Sequence, residues 1–321
     1  MKTIELVTPS FNEEKCIEKF IEEVDRVFSL ELPDYQYLVT YVDDGSSDKT
    51  LVEIKRMEEA YGSDKVHYIS FSRNFGKESA IYAGLCNCVG DYVVLLDVDL
   101  QHPVTLIPEM LKAIEEEGYD CATARRTSRK GEGKIKSFFS RNFYHLFNHI
   151  TGLKLMPGAT DFRLMKREVA QAIAKFSERE RFTKGIYSWI GFQNKWIPYA
   201  NVERTEGESK WSMRGLARYS LNGFLAFATT PLRAIIYMGL LIVAATVVWI
   251  IKILVDYLAF GVATGNGVTT LTLITLFLGG MVLTVLGVIG EYMARIYMEV
   301  KNRPIYITRE TNIGCQSEKQ D

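Results

Sequence analysis

Along the first 125 positions, short apolar runs alternate with amphipathic stretches. A period of two followed by a period near 3.6 predicts strands alternating with helices. Strands are expected at Ile4–Thr8, Tyr37–Val42, Val66–Phe71, Tyr92–Leu96 and Asp120–Ala124. Helices are expected at Glu13–Phe28, Lys49–Tyr61, Lys77–Cys88 and Pro108–Glu117. The Tyr92–Leu96 run is apolar throughout, as a strand covered on both faces should be. Such alternation predicts a parallel sheet in a doubly wound α/β fold.

The pattern changes further on. Ala234 to Ile251 is 18 residues without a charge, and Val268 to Gly290 is another 23. At about 1.5 Å per residue, either run can cross a hydrocarbon core of roughly 30 Å. The expected division is therefore a cytoplasmic α/β domain over 1–211, an interfacial helix over 212–232, two transmembrane helices over 233–298 and a tail over 299–321. Residues 130–157, with Lys134, Lys136, Phe138, Phe139 and Arg141, combine basic and aromatic positions. They suit either a membrane-surface helix or a solvated helix packed on the sheet. Arg214, Arg218 and Arg233 precede the first span, and Arg295, Lys301 and Arg303 follow the second. Asp256–Gly267, between the spans, holds no Lys or Arg. The positive-inside rule places both termini in the cytoplasm of a multi-pass inner-membrane protein. The N-terminus reads as a strand, with no signal peptide.

Charge and cysteine content exclude more than they suggest. A net charge of −1 gives no global basic field for nucleic acid. Five cysteines, at 16, 86, 88, 121 and 315, form no C-x-x-C pair and read as reduced structural thiols.

Candidate chemistry gathers at the predicted strand ends, where ligands bind in open α/β sheets. Asp97, Asp99 and Gln101 follow the fourth strand. Their oxygens suit Mg²⁺ or Mn²⁺ shared with a substrate phosphate, although an Asp-x-Asp pair alone is also a common solvated turn. Thr8-Pro9-Ser10-Phe11-Asn12-Glu13 follows the first strand, and Asp43-Asp44-Gly45-Ser46-Ser47-Asp48 the second. Pro9 and Phe11 offer an apolar wall for a base, Asp44 an acceptor for a base N–H, and Glu13 an acceptor for hydroxyls. His145 and His149, at i,i+4, lack the glutamate of a metalloprotease helix.

This order of motifs closely resembles family 2 glycosyltransferases of the GT-A (Rossmann-like) fold, which bind nucleotide-sugars. Ser72-Arg73-Asn74-Phe75-Gly76-Lys77, Asp97-x-Asp99-x-Gln101-His102-Pro103, Gly158-Ala159-Thr160-Asp161-Phe162-Arg163 and Arg204-Thr205-Glu206-Gly207-Glu208-Ser209-Lys210-Trp211 narrow the resemblance. They are similar to the polyprenyl-phosphate branch, with its bactoprenol glucosyltransferases and dolichol-phosphate-mannose synthases. The resemblance implies an inverting transfer of a sugar from a nucleotide-sugar to undecaprenyl phosphate at the cytoplasmic leaflet. UDP-glucose is the leading donor, with GDP-mannose, UDP-N-acetylglucosamine or an aminoarabinose nucleotide as alternatives. A non-catalytic membrane subunit binding nucleotide-sugar or lipid phosphate is the alternative of another class.

The resemblance further implies Asp97, Asp99 and Gln101 as metal ligands, with Lys77 on the donor side. Arg126 and Arg204 would hold diphosphate, with Arg125 an alternative to Arg126. Arg141, Arg163, Ser209 and Lys210 fall on the acceptor-phosphate side, where Lys210 reads equally as a solvated side chain. Asp161 would be a base or, better, an acceptor-orienting group, because a phosphomonoester is already largely ionised at pH 7. Homo-oligomers, tetramers among close relatives, are also implied.

Overall fold

The computed structural model describes residues 1–126, 147–179, 181–199, 230–260 and 267–314. The chain divides into two units, residues 1–223 with 304–321, and residues 224–303.

The first unit is built on one eight-stranded sheet. Its strands are β1 (Lys2–Ser10), β2 (Tyr35–Asp43), β3 (Val66–Phe71), β4 (Tyr92–Leu95), β5 (Cys121–Arg126), β6 (Ala159–Lys166), β7 (Asn194–Tyr199) and β8 (Thr308–Thr311). They lie in the order β7-β5-β6-β4-β1-β2-β3-β8. The helices are α1 (Ile17–Glu31), α2 (Thr50–Tyr61), α3 (Lys77–Asn87), α4 (Ile107–Glu115), α5 (Arg167–Ala174) and α6 (Thr183–Trp189). Ile4 and Leu6 join α1, α2 and α4 in one apolar core on one face of the sheet. Val7, the residue after Leu6, meets α3 on the other face, where a methyl added to Gly84 would come within 2.1 Å of it. Alternate β1 side chains thus enter two cores, which is why the central strands read as unbroken apolar runs.

The doubly wound α/β class is borne out, but the sheet is mixed rather than parallel. β1, β2, β3 and β4 run parallel, as do β5 and β7. β6 runs antiparallel between β4 and β5, and β8 antiparallel to β3. Neither β6 nor β8 is reached by a short βα crossover from a neighbour, and that crossover is what compels parallel pairing. Because β1 has β2 on one side and β4 on the other, the winding reverses there. The reversal opens a crevice at the carboxyl ends of β1 and β4.

Glu5 is a charged residue inside this sheet, fully buried. Its carboxylate accepts from Thr40 Oγ1 at 2.6 Å and from the Val89 and Gly90 N–H groups at 2.6 and 2.8 Å. The turn before β4 is thereby fixed, and no polar group of the carboxylate is stranded.

The second unit contains α7 (Thr230–Phe260) and α8 (Gly267–Val300). Both exceed the uncharged runs that predict them. Within α8, Ile274–Val300 spans 27 residues and is long and apolar enough to cross a membrane. Thr272, Thr275 and Thr284 each donate a hydroxyl to the carbonyl four residues earlier, at 2.8–2.9 Å, which satisfies those groups within the helix. Of the interfacial helix expected at 212–232, residues 212–229 lie outside the described residues and the last three belong to α7, and most of 130–157 also lies outside them.

At the amino ends of the central strands, opposite the crevice, Glu115 accepts from Lys2 Nζ at 2.8 Å, Tyr92 Oη at 2.7 Å and Tyr35 Oη at 2.5 Å. Partial burial alone would raise its carboxyl, but these donors outweigh burial and bring it down to about 2. A carboxyl depressed on folding stabilises the native state above its unfolded pKa, and that stabilisation disappears as pH falls through the folded value. Thermal midpoints measured from pH 5 to 2 are expected to fall less steeply for Glu115→Gln than for the unmodified protein. Parallel curves would contradict this role for Glu115.

Candidate active site

The loops after β1 and β2 are joined by their own polar side chains. Asn12 holds a left-handed φ of 54°; its N–H donates to Ser46 Oγ at 3.0 Å and its side-chain oxygen accepts from Ser47 N at 2.9 Å. Glu13 N donates to Thr50 Oγ1 at 2.8 Å, and Glu14 Oε2 accepts from Lys49 N at 3.0 Å. Much of the polarity of these two motifs therefore sets the shape of the crevice wall. Phe11 remains 36% exposed beside it.

The Asp43-Asp44-Gly45 turn ties the second strand end to the third. Asp43 accepts from Ser46 N at 3.0 Å and from Ser70 Oγ at 2.8 Å. Asp44 accepts from Phe75 N at 2.6 Å and from Gly76 N at 2.9 Å. Burial pushes the Asp44 carboxyl up, and these two backbone donors oppose it. The group expected to read a base N–H is thus turned to the backbone of the loop that leads into α3. Gly45 sits at φ 66°, where a methyl would come within 2.4 Å of the Arg73 carbonyl carbon. Only glycine permits so close an approach of the two loops.

That loop delivers Lys77 to the centre of the site. Lys77 Nζ lies 2.8 Å from Asp97 Oδ2 and 3.0 Å from Asp161 Oδ2. Three segments from α3, the end of β4 and β6 therefore converge on one ammonium. Burial disfavours the Lys77 charge, but Asp161 and Asp97 outweigh it and raise its pKa. For Asp161 burial acts upward, yet Lys77 and Lys184 hold the carboxyl well below the usual range. A carboxylate held so firmly ionised is a weak proton acceptor at neutral pH.

On the metal side, Asp99 Oδ1 accepts from Gln101 N at 3.1 Å, and Leu100 between them is left-handed at φ 53°. A bulky side chain in that region is strained, and such strain gathers at functional sites. Among the described residues no group of three His, Cys, Asp or Glu side chains is placed to hold an ion. Asp97, Asp99 and the Gln101 amide nevertheless form a hard oxygen set at a strand end. A partial shell of this kind fits Mg²⁺ or Mn²⁺ whose remaining ligands are substrate phosphate oxygens and water.

Several participants give little sign in the sequence. Arg126 Nε donates to Tyr199 Oη at 3.0 Å, and Tyr199 Oη lies 2.7 Å from His102 Nδ1. His102 is buried, and its pKa is lowered to about 4 chiefly by burial. A neutral imidazole accepting from Tyr199 completes a hydrogen-bonded chain from His102 to Arg126. Arg163 is buried with its guanidinium 3.2 Å from the Tyr187 ring centroid, and among the described residues its Nε has no hydrogen-bond partner. Lys184 and Tyr187 sit on α6, a seven-residue helix too short to show a period. Pro9 lies in β1 and pairs with Val42. Arg141, Arg204, Ser209 and Lys210 lie outside the described residues.

Residues 5–174 match the model of glycosyl transferase family 2. The chain belongs to that family. It is 40% identical over 311 residues to the SfII prophage-derived bactoprenol glucosyl transferase of Shigella flexneri, covering 97% of this chain and 99% of that one. With the prophage bactoprenol glucosyl transferase homolog of Escherichia coli K12 it shares 38% identity over 306 residues, 95% of this chain and 98% of the other. A more distant likeness is to the crystal structure of glucosyl-3-phosphoglycerate synthase from Mycobacterium tuberculosis in complex with Mn²⁺, UDP and phosphoglyceric acid. Identity there is 16%, coverage 70% of this chain and 76% of the other, and the TM-score 0.47. As a family 2 glycosyltransferase, the protein is an enzyme.

Because the Gly45 turn joins two strand ends, its replacement should be felt both in stability and in activity. Gly45→Ala is expected to cost about 1–3 kcal/mol in backbone strain and clash, seen as a lowered thermal midpoint, with transfer reduced. An unchanged midpoint would show that the two loops are not held at this contact.

Proposed function

We propose that the protein is an inverting glycosyltransferase that moves glucose from UDP-glucose onto undecaprenyl phosphate at the cytoplasmic face of the membrane. The observation that carries this reading is the convergence of Asp97 and Asp161 on Lys77. It brings the residue assigned to the donor metal and the residue assigned to the acceptor within one side chain's reach. The bactoprenol glucosyl transferases matched over nearly the whole chain support the acceptor and the sugar.

In this reading Asp97, Asp99 and Gln101 hold Mg²⁺ or Mn²⁺. When bound with the donor, the ion supplies positive charge to the departing diphosphate. Lys77 adds a second cation on the same side, and Arg126, held by Tyr199, faces phosphate. The nucleophile is a phosphate oxygen of the lipid, already ionised at pH 7. It attacks the anomeric carbon as the bond to the diphosphate breaks on the opposite face, inverting configuration. No base is needed, and the depressed pKa of Asp161 supports an orienting role instead. Arg163, whose Nε–H has no partner among the described residues, is suited to the acceptor phosphate, since guanidinium forks bind phosphate bidentately.

Chain connectivity supports a two-span membrane segment. β8 follows α8 and belongs to the same sheet as β1. A chain that leaves a domain and rejoins it crosses a bilayer an even number of times, and α7 and α8 supply two long helices. At about 1.5 Å per residue, Ile274–Val300 is roughly 40 Å long, ample for a hydrocarbon core.

The decisive measurement uses purified full-length protein, undecaprenyl phosphate and radiolabelled UDP-glucose, GDP-mannose, UDP-N-acetylglucosamine and aminoarabinose nucleotide. Lipid-phase label is expected from UDP-glucose, abolished by EDTA and reduced at least about 100-fold by Asp99→Ala. Label from another donor would replace the sugar. Label from none, with folded protein and both metals supplied, would refute the acceptor.

A further inference from the structure

Residues after α8 return to the first unit and fasten themselves to β3. β8 pairs antiparallel with it, Thr311 opposite Ile69, Glu310 opposite Ser70 and Thr308 opposite Phe71. The Asn312 side chain accepts from Tyr68 N at 2.7 Å and donates to Val66 O at 2.9 Å, copying a strand's pairing. Lys55 Nζ meets Glu310 at 2.7 Å on the outer side. At the other end the attachment outruns the strand, since Ser72 N donates to Ile307 O at 2.9 Å. Ser72 is the first residue of the loop that carries Lys77.

Tyr306 makes this attachment more than a covered edge. Its ring stacks on buried Phe71, with centroids 4.9 Å apart and planes 19° from parallel. Phe71 in turn meets Phe75 edge-on at 5.7 Å, and Phe75 N is the donor held by Asp44. On its other side Tyr306 meets the edge of Tyr82, on α3, at 6.3 Å, and its hydroxyl accepts from Asn87 Nδ2 at 3.5 Å. Tyr306 therefore touches both the end of β3, where the loop into Lys77 departs and where Phe75 packs, and the helix that Lys77 begins. A side chain that braces both sides of a mount fixes the reach of the ammonium at its centre.

We propose that Tyr306, with the Ile307–Asn312 strap, is a positioning element of the donor site that sets the Ser72–Lys77 loop. The proposal rests on the reading of that loop as the donor side. It makes residues beyond the second long helix part of the catalytic apparatus, although they contribute no group to the reaction. Covering the β3 edge requires only a backbone; a ring stacked on Phe71, where the strand passes into the loop, is what a mere cover would not need.

The test compares the full-length protein with Tyr306→Ala, Tyr306→Phe and Lys55→Ala. UDP and GDP are each titrated calorimetrically in the presence of Mn²⁺, and transfer is followed with donor and acceptor varied separately. Tyr306→Ala is expected to weaken nucleotide binding and raise the donor KM about tenfold, as small misplacements at a site do, with the acceptor KM unchanged. Tyr306→Phe should restore both, because the stack survives without the hydroxyl, and Lys55→Ala should match the unmodified protein. If Tyr306→Ala does not fold, Tyr306→Leu, which keeps apolar volume but not the flat stack, takes its place. Unaltered nucleotide affinity and donor KM in a folded variant would overturn the proposal. Equal rises in donor and acceptor KM would do so too, since they mark general loosening. Absence of nucleotide binding by the unmodified protein would instead overturn the donor reading, and this proposal with it.

Discussion

Two carboxylates and one ammonium organise the site. Asp97 and Asp161 come from strands β4 and β6 that are neighbours in the sheet, and without a cation between them their charges would repel. Lys77 supplies that cation from a different layer, at the start of α3. The arrangement explains why so much of the surrounding structure is devoted to the loop before Lys77. Asp44 holds two of its backbone N–H groups, Gly45 lets the second strand end approach it closely, and the strap after α8 pairs with its first residue. A lysine on a mobile mount would not settle between two carboxylates at 2.8 and 3.0 Å. The loop must be built first.

The same arrangement divides labour among the acidic residues. Asp43, Asp44 and Asp48 spend their oxygens on backbone and hydroxyl donors of the protein itself. Asp97 faces a cation at the strand end, and Asp99 caps the turn at Gln101. Thus the acidic run after β2 shapes the crevice, whereas Asp97 after β4 meets a cation carried by another layer. Similar sequence signals have different physical destinies because one lies beneath a loop and the other at the switch point of the sheet.

How far the sequence discloses this depends on how each strand is covered. β1 to β4 are buried on both faces and stand out as apolar runs, so their carboxyl ends and the motifs there are legible. β6 is not: Thr160, Asp161 and Arg163 interrupt it, and its antiparallel place between β4 and β5 follows from no local period. β8 reads Thr-Arg-Glu-Thr, an edge strand with solvated side chains, and Tyr306-Ile307 before it carries the β-forming signature. Glu5 looks like a break in a strand and is instead a buried anchor. His102 and Tyr199 are 97 residues apart, and only the fold shows that they share a hydrogen bond.

The place of β8 also has a bearing on the order in which the protein is made. Its partner strand β3 ends at Phe71, whereas β8 begins at Thr308. At roughly 5–20 residues per second, synthesis leaves about 10–50 s between the two. Throughout that interval the sheet has an open edge, and both long helices must leave the ribosome before the strand that closes it exists. The hydrogen bond between Ile307 and Ser72, at the start of the loop to Lys77, therefore forms only after α7 and α8 have emerged. A chain halted before residue 308 retains an unpaired β3 edge, the kind of surface on which strands of other chains assemble.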